Sequence, residues 1–311
     1  MIGVTSDKIW NLNELLDFLI ANQGKTIQMV IYPEAVCLKT IGLYALLDKF
    51  DFTQVTIVTR NPFECHHKYR IYYKENIWLK KIETIDPDLH VWNKNKLFYC
   101  LFGRPTASRL GLAAYLHQNH RDITHLHFSA TTDVDELVQI ELDKLLQYDI
   151  DSIESAGTLI KQLPLLLSSP DLYTATNGYN YNDQLTKLYK DILIDVLAES
   201  HVSGTTFFPT EKTLRPMWLK KPFVIFASKN YLDYLHQMGF KTFYNFWSEE
   251  YDAYEGKERY IRMLSLINTL ARMPMAELES MYQNMQSILD HNYNLLLNQT
   301  YNNNLSYIYD Q

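Results

Sequence analysis

Cysteine is scarce in this sequence, with three residues among 311, and long apolar runs are missing. The wide spacing of Cys37, Cys65 and Cys100 argues against a disulfide framework and a paired-cysteine metal site, and it favours a reducing compartment. No run reaches the roughly 18 apolar residues of a membrane-spanning helix. Residues 1–25 lack the basic start and apolar core of a signal peptide. We therefore expect a cytoplasmic protein without a membrane span.

Positive charge is also in short supply, because 29 lysine and arginine residues face 36 aspartate and glutamate residues, for a net charge of −7. The chain as a whole therefore differs from the basic proteins that hold nucleic acid by its phosphates. The phosphate loop that ends in Gly-Lys-Ser/Thr and the Gly-x-Gly-x-x-Gly turn are both absent, which argues against the nucleotide-dependent enzymes, such as hydrolases, that use them. One local cationic concentration remains, formed by Lys212, Arg215, Lys220, Lys221, Lys229 and Lys241.

Short apolar strands alternate with amphipathic helices through the first half of the sequence. The predicted strands are 26–32, 54–59, 97–102 and 125–129, and the predicted helices are 12–21, 38–50, 107–117 and 132–147. Strands separated by helices favour a parallel sheet, so this order predicts the α/β class.

The second half is less regular at its start and helical at its end. Residues 152–181 carry the proline, glycine and asparagine punctuation of loops, and residues 185–199 are strand-containing or helical. A strand at 222–227, a helix ending near Gly239 and helices at 258–272 and 275–298 follow. We expect two Rossmann-like domains of about 130 to 150 residues each. The predicted divisions are an acceptor-side domain at 1–130, a helical connection at 131–184, a donor-binding domain at 185–270 and C-terminal helices at 271–311.

A polar turn, Thr210-Glu211-Lys212-Thr213, opens a helix just after a short predicted strand. The backbone N–H groups of a helix start favour anionic groups, and open α/β sheets bind their ligands at such strand-to-helix turns. The sequence therefore predicts an anionic ligand beside these four residues.

Two blocks of residues in this chain resemble a known family. The first block consists of Glu199, Thr210, Glu211, Lys212, Thr213, Pro216, Lys221, Pro222, Phe223, Gly239, Phe240, Lys241, Phe243, Glu249, Tyr251 and Asp252, and the second of Gly103, Arg104, Pro105 and Arg109. Together they resemble GT-B-type glycosyltransferases of bacteriophages and bacteria, some of which are similar to enzymes that glycosylate modified DNA bases. The Thr-Glu-Lys element is also similar to the nucleotide-sugar motif of fucosyltransferases. The family usually has histidine where this chain has Ser108, and this departure puts a catalytic role for that position in doubt.

This resemblance implies a GT-B fold and the transfer of a sugar from a nucleotide-sugar donor to a hydroxyl group, in the cytoplasm of a bacterium or a phage-infected cell. A uridine diphosphate sugar is the expected donor, and no further cofactor is implied. The candidate acceptors are a hydroxymethylated pyrimidine in DNA, a glycan and a protein. A non-catalytic nucleotide-binding protein with the same fold is the alternative, for which Ser108 is the hint.

The donor-binding candidates follow from the chemistry of the leaving group. The charge of a leaving diphosphate must be neutralised by a metal ion or by cationic side chains and helix-end amides. Because the Asp133-Val134-Asp135 triplet reads as a helix cap, we expect no metal site and assign the diphosphate contact to Lys212 and Arg215. Glu211 is the expected acceptor for the ribose hydroxyls. The full predicted binding set is Thr210, Glu211, Lys212, Thr213, Arg215 and Glu249, although Thr210 also suits a helix cap and Glu249 also suits an acidic cluster that caps the last helical segment.

The catalytic candidates lie in the first half of the sequence. Glu34 follows a predicted strand and suits a general base, although a strand-end carboxylate is often structural. Arg104 and Arg109 lie at a turn after an apolar strand, where they suit a phosphate or acceptor contact, or surface ion pairs. His125 and His127 lie on one face of a predicted strand, which suits a shared ligand or two hydrogen-bonded strand histidines.

Overall fold

The computed structural model describes residues 2–5, 9, 11–31, 35–74, 91–129, 135–149, 151–167 and 183–302. The chain forms two compact units. Among the described residues, the first unit lies within 1–77 and 201–208, and the second lies within 78–200 and 209–303. Each unit contains one sheet of four parallel strands, so the α/β class predicted from the sequence is confirmed.

The sheet of the first unit has the strand order β1-β2-β3-β4. Its strands are β1 (Ile2–Thr5), β2 (Thr26–Val30), β3 (Gln54–Thr59) and β4 (Arg70–Tyr73), and its helices are α1 (Leu12–Ala21) and α2 (Leu43–Leu47). Leu19, Ile27 and Ile57 are fully buried in one hydrophobic core that joins α1 to the sheet.

Three elements of this unit differ from the sequence pattern. The pattern does not reveal β1 and β4, because four residues carry little periodicity and each strand depends on pairing with its neighbour. The helix predicted at 38–50 is shorter in the structure, where only the residues of α2 are helical. Gly42 precedes it with a left-handed backbone of φ 77°, which separates α2 from the turn before it.

The sheet of the second unit has the strand order β6-β5-β7-β8. Its strands are β5 (Phe98–Phe102), β6 (Thr124–Phe128), β7 (Ile194–Ala198) and β8 (Phe223–Phe226). Its helices are α3 (Ala107–Asn119), α4 (Asp135–Tyr148), α5 (Asp151–Ile160), α6 (Asp183–Asp191), α7 (Glu211–Trp218), α8 (Tyr231–Gln237), α9 (Gly256–Ala271) and α10 (Met275–Asn302). Every described residue of β7 and β8 is buried, as expected of central strands covered on both faces.

The region predicted as loop at 152–181 begins with a helix instead. α5 buries Ser152, Ala156 and Leu159 along one face and contacts α3. The spacing of these residues is helical, but two of them are small, so the apolar signal is weak. Residues 168–182 of the predicted loop lie outside the described residues.

The division of the chain differs from the predicted boundary near residue 130. β5 and β6 share a sheet with β7 and β8, so residues 98–128 belong to the second unit, and the N-terminal segment of the first unit ends by residue 77. α10 also belongs to the second unit and contacts α7, whereas the sequence suggested a separate set of C-terminal helices. Within the residues that the structure describes, no helix is long and apolar enough to cross a membrane.

Candidate functional site

A topological switch point lies between β5 and β7 in the second unit. From β5 the chain passes through α3 to β6 on one side, whereas from β7 it passes through α7 to β8 on the other side. Open α/β sheets bind ligands outside the carboxyl ends of the two strands where the order reverses. The residues that follow β5 and β7, and the starts of α3 and α7, therefore form the candidate site.

Glu199, the first residue after β7, accepts hydrogen bonds from residues at the start of α7. Its Oε1 accepts the backbone N–H of Thr210 at 3.1 Å and the hydroxyl of Thr213 at 2.6 Å, and its Oε2 accepts the hydroxyl of Thr210 at 2.7 Å. The side chain of Glu199 is only 2% exposed. A buried carboxylate with three donors is a structural anchor, and two of the predicted ligand-binding residues, Thr210 and Thr213, are used by it.

Glu211 and Lys212 are the members of the predicted binding set that are partly exposed at the helix start. The Lys212 ammonium donates to Glu211 Oε1 at 2.7 Å and to the Thr210 hydroxyl at 2.9 Å. Side-chain exposure is 34% for Glu211 and 14% for Lys212. Burial raises the pKa of the Glu211 carboxyl, but the charge and hydrogen bond of Lys212, with smaller contributions from the backbone and Arg215, together outweigh burial, and the pKa is lowered. Glu211 is therefore ionised at neutral pH and accessible to a ligand.

Thr210 caps α7, as the sequence suggested. Its hydroxyl accepts the backbone N–H of Lys212 at 3.3 Å, and its own backbone is extended. The predicted helix start is therefore confirmed.

Arg215 is buried and is not placed for the diphosphate contact that the sequence predicted. Its guanidinium is buried, lies 3.2 Å from the Asp195 carboxylate and donates to the Tyr189 hydroxyl. Tyr189 in turn donates to Asp195, and the rings of Tyr99 and Tyr189 lie 5.8 and 5.9 Å from the guanidinium. Asp195 is the second residue of β7 and is fully buried, so Arg215 points into the core and neutralises a buried charge there.

Arg109 is likewise a buried structural residue. Its guanidinium donates to the carbonyl of Ala198 at 3.2 and 3.3 Å, to the hydroxyl of Ser200 at 3.2 Å and to the carbonyl of Arg104 at 3.2 Å. These bonds join the start of α3 to the carboxyl end of β7 across the switch point. Arg104 itself is exposed. Of the two arginines, Arg104 is the one placed to meet a ligand.

The start of α3 already has a carboxylate of its own. The backbone N–H of Ala107 donates to Glu141 Oε2 at 2.7 Å, and Glu141 also pairs with Lys144 at 2.6 Å. The anion-binding position of this helix is thus filled from α4. Glu211, Lys212 and Arg104 remain as the charged side chains of the candidate set that are accessible at the switch point.

Glu249 lies against the far end of α8. It accepts the Thr242 hydroxyl at 2.6 Å and the Phe243 backbone N–H at 2.8 Å, and Thr242 is also 2.8 Å from His236 Nε2. Burial raises the pKa of Glu249 to about 7, although both hydrogen bonds oppose the rise. In the part of the chain that the structure describes, Glu249 has no hydrogen bond or ion pair with α7.

Several sequence predictions fall on residues whose structure is not described. Glu34 lies outside the described residues, as do Asp133 and Val134 and the side chain of Asp135. Among the described residues, no group of three His, Cys, Asp or Glu side chains is placed to hold a metal ion.

The two strand histidines do not share a ligand among the described residues. His127 is buried, and its Nδ1 accepts the backbone N–H of Leu167 at 3.2 Å. Burial, helped by the charge of Arg215, lowers the pKa of His127 to about 4. His125 Nε2 lies 3.8 Å from the Asp191 carboxylate.

Sequence reasoning missed the anchoring roles of Glu199 and Asp195. Asp195 stands between buried apolar residues of β7, and a charge in such a strand requires a partner. That signal could have assigned Arg215 to the core. Glu199 comes directly after the same strand. The hydroxyl residues Thr210 and Thr213 at the start of the next helix were the signal that it accepts hydrogen bonds there.

No protein-family model matches this chain, and no curated protein sequence matches it. The resemblance to glycosyltransferases stays a prediction from the residue motifs.

Proposed function

We propose that this protein is a GT-B-type glycosyltransferase that transfers a sugar from a nucleotide-sugar donor to a hydroxyl group. The observation that carries the proposal is the switch point between β5 and β7, with a partly exposed carboxylate and an adjacent ammonium at the start of α7. A nucleotide sugar presents a ribose diol and a diphosphate close together. Glu211 offers a hydrogen-bond acceptor for the diol, and the adjacent Lys212 offers a cation for the diphosphate.

Donor binding would exchange one ion pair for two ligand contacts. The Glu211 carboxylate accepts the ribose hydroxyls, which releases the Lys212 ammonium from its 2.7 Å contact with Glu211. Lys212 then meets the diphosphate, and Arg104 is a second cation on the neighbouring strand end. Glu199 keeps its hydrogen bonds to Thr210 and Thr213 and so holds the helix start in place.

The transfer itself breaks one bond and forms another. The acceptor oxygen bonds to the anomeric carbon as the bond from that carbon to the diphosphate oxygen breaks, and the nucleoside diphosphate leaves. The acceptor proton passes to a carboxylate or imidazole base. Lys212 stabilises the negative charge that develops on the leaving oxygen, which is the contribution expected of a fixed cation at such a site.

A thermal-shift panel of nucleotide sugars and free nucleotides tests the donor site first. A ligand that binds the folded protein raises its melting temperature by mass action. We expect one nucleotide sugar, a uridine diphosphate sugar first among them, to raise the melting temperature of the wild type. Lys212→Met and Glu211→Gln should remove the shift, whereas Lys257→Met, which removes an exposed charge on α9, should keep it. A panel without any shift, or a shift unchanged in both site variants, would overturn the donor assignment.

Release of nucleoside diphosphate separates an enzyme from a binding protein. Donor should be converted only when a hydroxyl acceptor is present, and DNA with hydroxymethylated pyrimidines, unmodified DNA and simple glycans are the first acceptors to compare. Donor binding without conversion on any acceptor, or in the absence of one, would favour the non-catalytic nucleotide-binding alternative.

A further inference from the structure

A cavity lies beside β6 of the same sheet and includes the residues where β5 and β6 begin. Its volume is about 380 Å³. It is lined by Lys96, His117, Arg121, Thr124, His125, Leu126, Leu165, Leu166 and Leu167. Lys96 precedes β5, and Arg121 precedes β6, so the cavity opens at the amino ends of the strands. The cavity also extends along β6, because the lining residue Leu165 exchanges backbone hydrogen bonds with Phe128 at the carboxyl end of that strand.

Two cations of this cavity lack a carboxylate partner. Neither Lys96 nor Arg121 forms an ion pair with any residue that the structure describes. The Lys96 ammonium donates one hydrogen bond, to the carbonyl of Asp122 at 2.5 Å, and an ammonium has three donors. The carboxylate of Asp191 lies 3.8 Å from Nε2 of His125 in the same wall, but it pairs with neither cation. Two cations that form no ion pair within the described residues favour an external anion.

The two imidazoles of the cavity are neutral at neutral pH. Burial lowers the pKa of His117, and the charge of Arg121 lowers it further. Burial and the charge of Lys96 lower the pKa of His125, against an opposing effect from Asp191. A neutral imidazole offers one N–H donor and one acceptor, so it can hydrogen-bond a ligand without adding charge.

The remaining wall is apolar. Leu126, Leu165, Leu166 and Leu167 contribute it, and Leu166 is 50% exposed. Small-molecule sites combine such apolar walls with a few polar groups, in volumes of about 300–1,000 Å³. The cavity is at the lower end of that range, which suits a ligand smaller than a nucleotide sugar.

We propose that this cavity binds a small phosphomonoester that carries an apolar or aromatic group. The phosphate lies between Lys96 and Arg121, and the organic group packs against the leucines. A phosphate dianion matches the two unpaired cations, and arginine binds it through two parallel hydrogen bonds. The site does not depend on the donor site, because it shares none of its residues.

Isothermal titration calorimetry with phenyl phosphate tests the proposal on the intact protein. Arg121 is exposed and forms no ion pair within the described chain, so Arg121→Gln should leave the fold intact. We expect this variant to bind phenyl phosphate about tenfold or more weakly, since a charge-assisted hydrogen bond is lost. Lys257→Gln removes one charge elsewhere on the same unit and should leave the affinity unchanged.

Two further arms separate the anionic and apolar parts of the ligand. Inorganic phosphate should bind more weakly than phenyl phosphate, and Leu166→Ser should reduce that difference. Phenol, which carries no phosphate, should not bind. The imidazole resonances of His117 and His125 should shift with phenyl phosphate in the wild type.

Several results would overturn the assignment. They are the absence of phenyl phosphate binding at millimolar concentration, equal binding by Arg121→Gln and the wild type, and binding that leaves both imidazole resonances unmoved. Loss of affinity in Lys212→Met with full affinity in Arg121→Gln would instead assign the anion to the start of α7.

Discussion

Two carboxylates at the start of α7 differ in burial, and this difference separates their roles. Glu199 is 2% exposed and accepts three hydrogen bonds, whereas Glu211 is 34% exposed and pairs with Lys212. We expect Glu199→Gln to lower the free energy of unfolding by about 1–3 kcal/mol, because one acceptor oxygen becomes an amide that faces a hydroxyl donor. Glu211→Gln should change it by less than about 0.5 kcal/mol.

Urea unfolding of both variants measures this difference. Binding of a nucleotide-sugar donor should show the opposite order. Glu211→Gln should weaken it more than Glu199→Gln, since of the two carboxylates only Glu211 is accessible to the donor. If Glu211→Gln were the more destabilising change, the ligand role of Glu211 would lose its support.

Lys221 is a fully buried lysine, and its ionisation links stability to pH. Its ammonium donates to the carbonyl of Val91 at 3.0 Å and to the Tyr282 hydroxyl at 3.3 Å, and burial lowers its pKa from 10.5 to about 7. Between pH 7 and 10.5 the unfolded chain keeps the proton that the folded chain has released. This residue therefore makes the protein more stable as pH rises, by on the order of 1 kcal/mol per pH unit.

The contribution of Lys221 is measurable by comparison with a variant. We expect the free energy of unfolding of the wild type, relative to Lys221→Met, to rise between pH 7 and 9. Lys220→Met is the matched control, because it removes the neighbouring lysine, which forms a partly exposed ion pair with Asp290. A parallel pH course of the wild type and Lys221→Met would contradict the lowered pKa.

The sequence could identify the start of α7 but could not show which side chains face the solvent there. Thr210 and Glu211 carry the signals of a helix start, and the structure has them in those positions. Arg215 lies one turn further along, and its direction depends on Asp195 and Tyr189, which come from other elements. Such contacts are fixed by tertiary packing, and the local pattern shows only that a charge such as Asp195 in an apolar strand requires a partner.

At the scale of the elements, α3 and α5 contain a matched pair of helical glycines. A Cβ at Gly111 of α3 would lie 2.6 Å from the Tyr260 hydroxyl and 2.8 Å from Leu145 Cδ1, whereas a Cβ at Gly157 of α5 would meet nothing within 4 Å. Gly111→Ala should destabilise the protein by about 1–3 kcal/mol because the core is overpacked. Gly157→Ala should stabilise it by about 0.5–1 kcal/mol because alanine favours a helix interior.

Thermal unfolding of the two alanine variants gives the sign of each change. Tyr260 is buried and donates to or accepts from Ser152 at 2.9 Å, so it has little room to move away from a new methyl group. Equal stability of the two variants would contradict the close approach of α3 to α4 and α9.

Elements with a clear period were predictable, and short or small-residue elements were not. The helix Leu12–Ala21 and the strand Gln54–Thr59 agree with the sequence pattern at both ends. β1 and β4 are too short to show a period, and α5 buries small residues that give little apolar signal. Pairing and packing with neighbours stabilise these elements, so their sequences alone do not reveal them.

At the scale of the whole molecule, the chain returns to the first unit after β7. Residues 201–208 belong to that unit although both flanking segments belong to the second. The Cys37 backbone N–H donates to the Thr206 hydroxyl at 2.9 Å, and the Phe207 backbone N–H donates to Asn61 Oδ1 at 3.3 Å. This return could not be predicted from local patterns, because it depends on residues about 145 to 170 positions apart in the chain.

Hydrogen exchange of the backbone amides tests whether this segment unfolds with the first unit. Ile57→Ala removes a fully buried side chain from β3 and should destabilise its unit by about 2–5 kcal/mol. We expect the amides of β3 and of Phe207 to lose protection together, while those of β7 keep theirs, since cooperative units open as wholes. Ile225→Ala in β8 is the matched control and should have the reverse effect. If Phe207 kept its protection in Ile57→Ala and lost it in Ile225→Ala, the segment would open with its neighbours in sequence, and its hydrogen bonds to Asn61 would be too weak to couple it to the first unit.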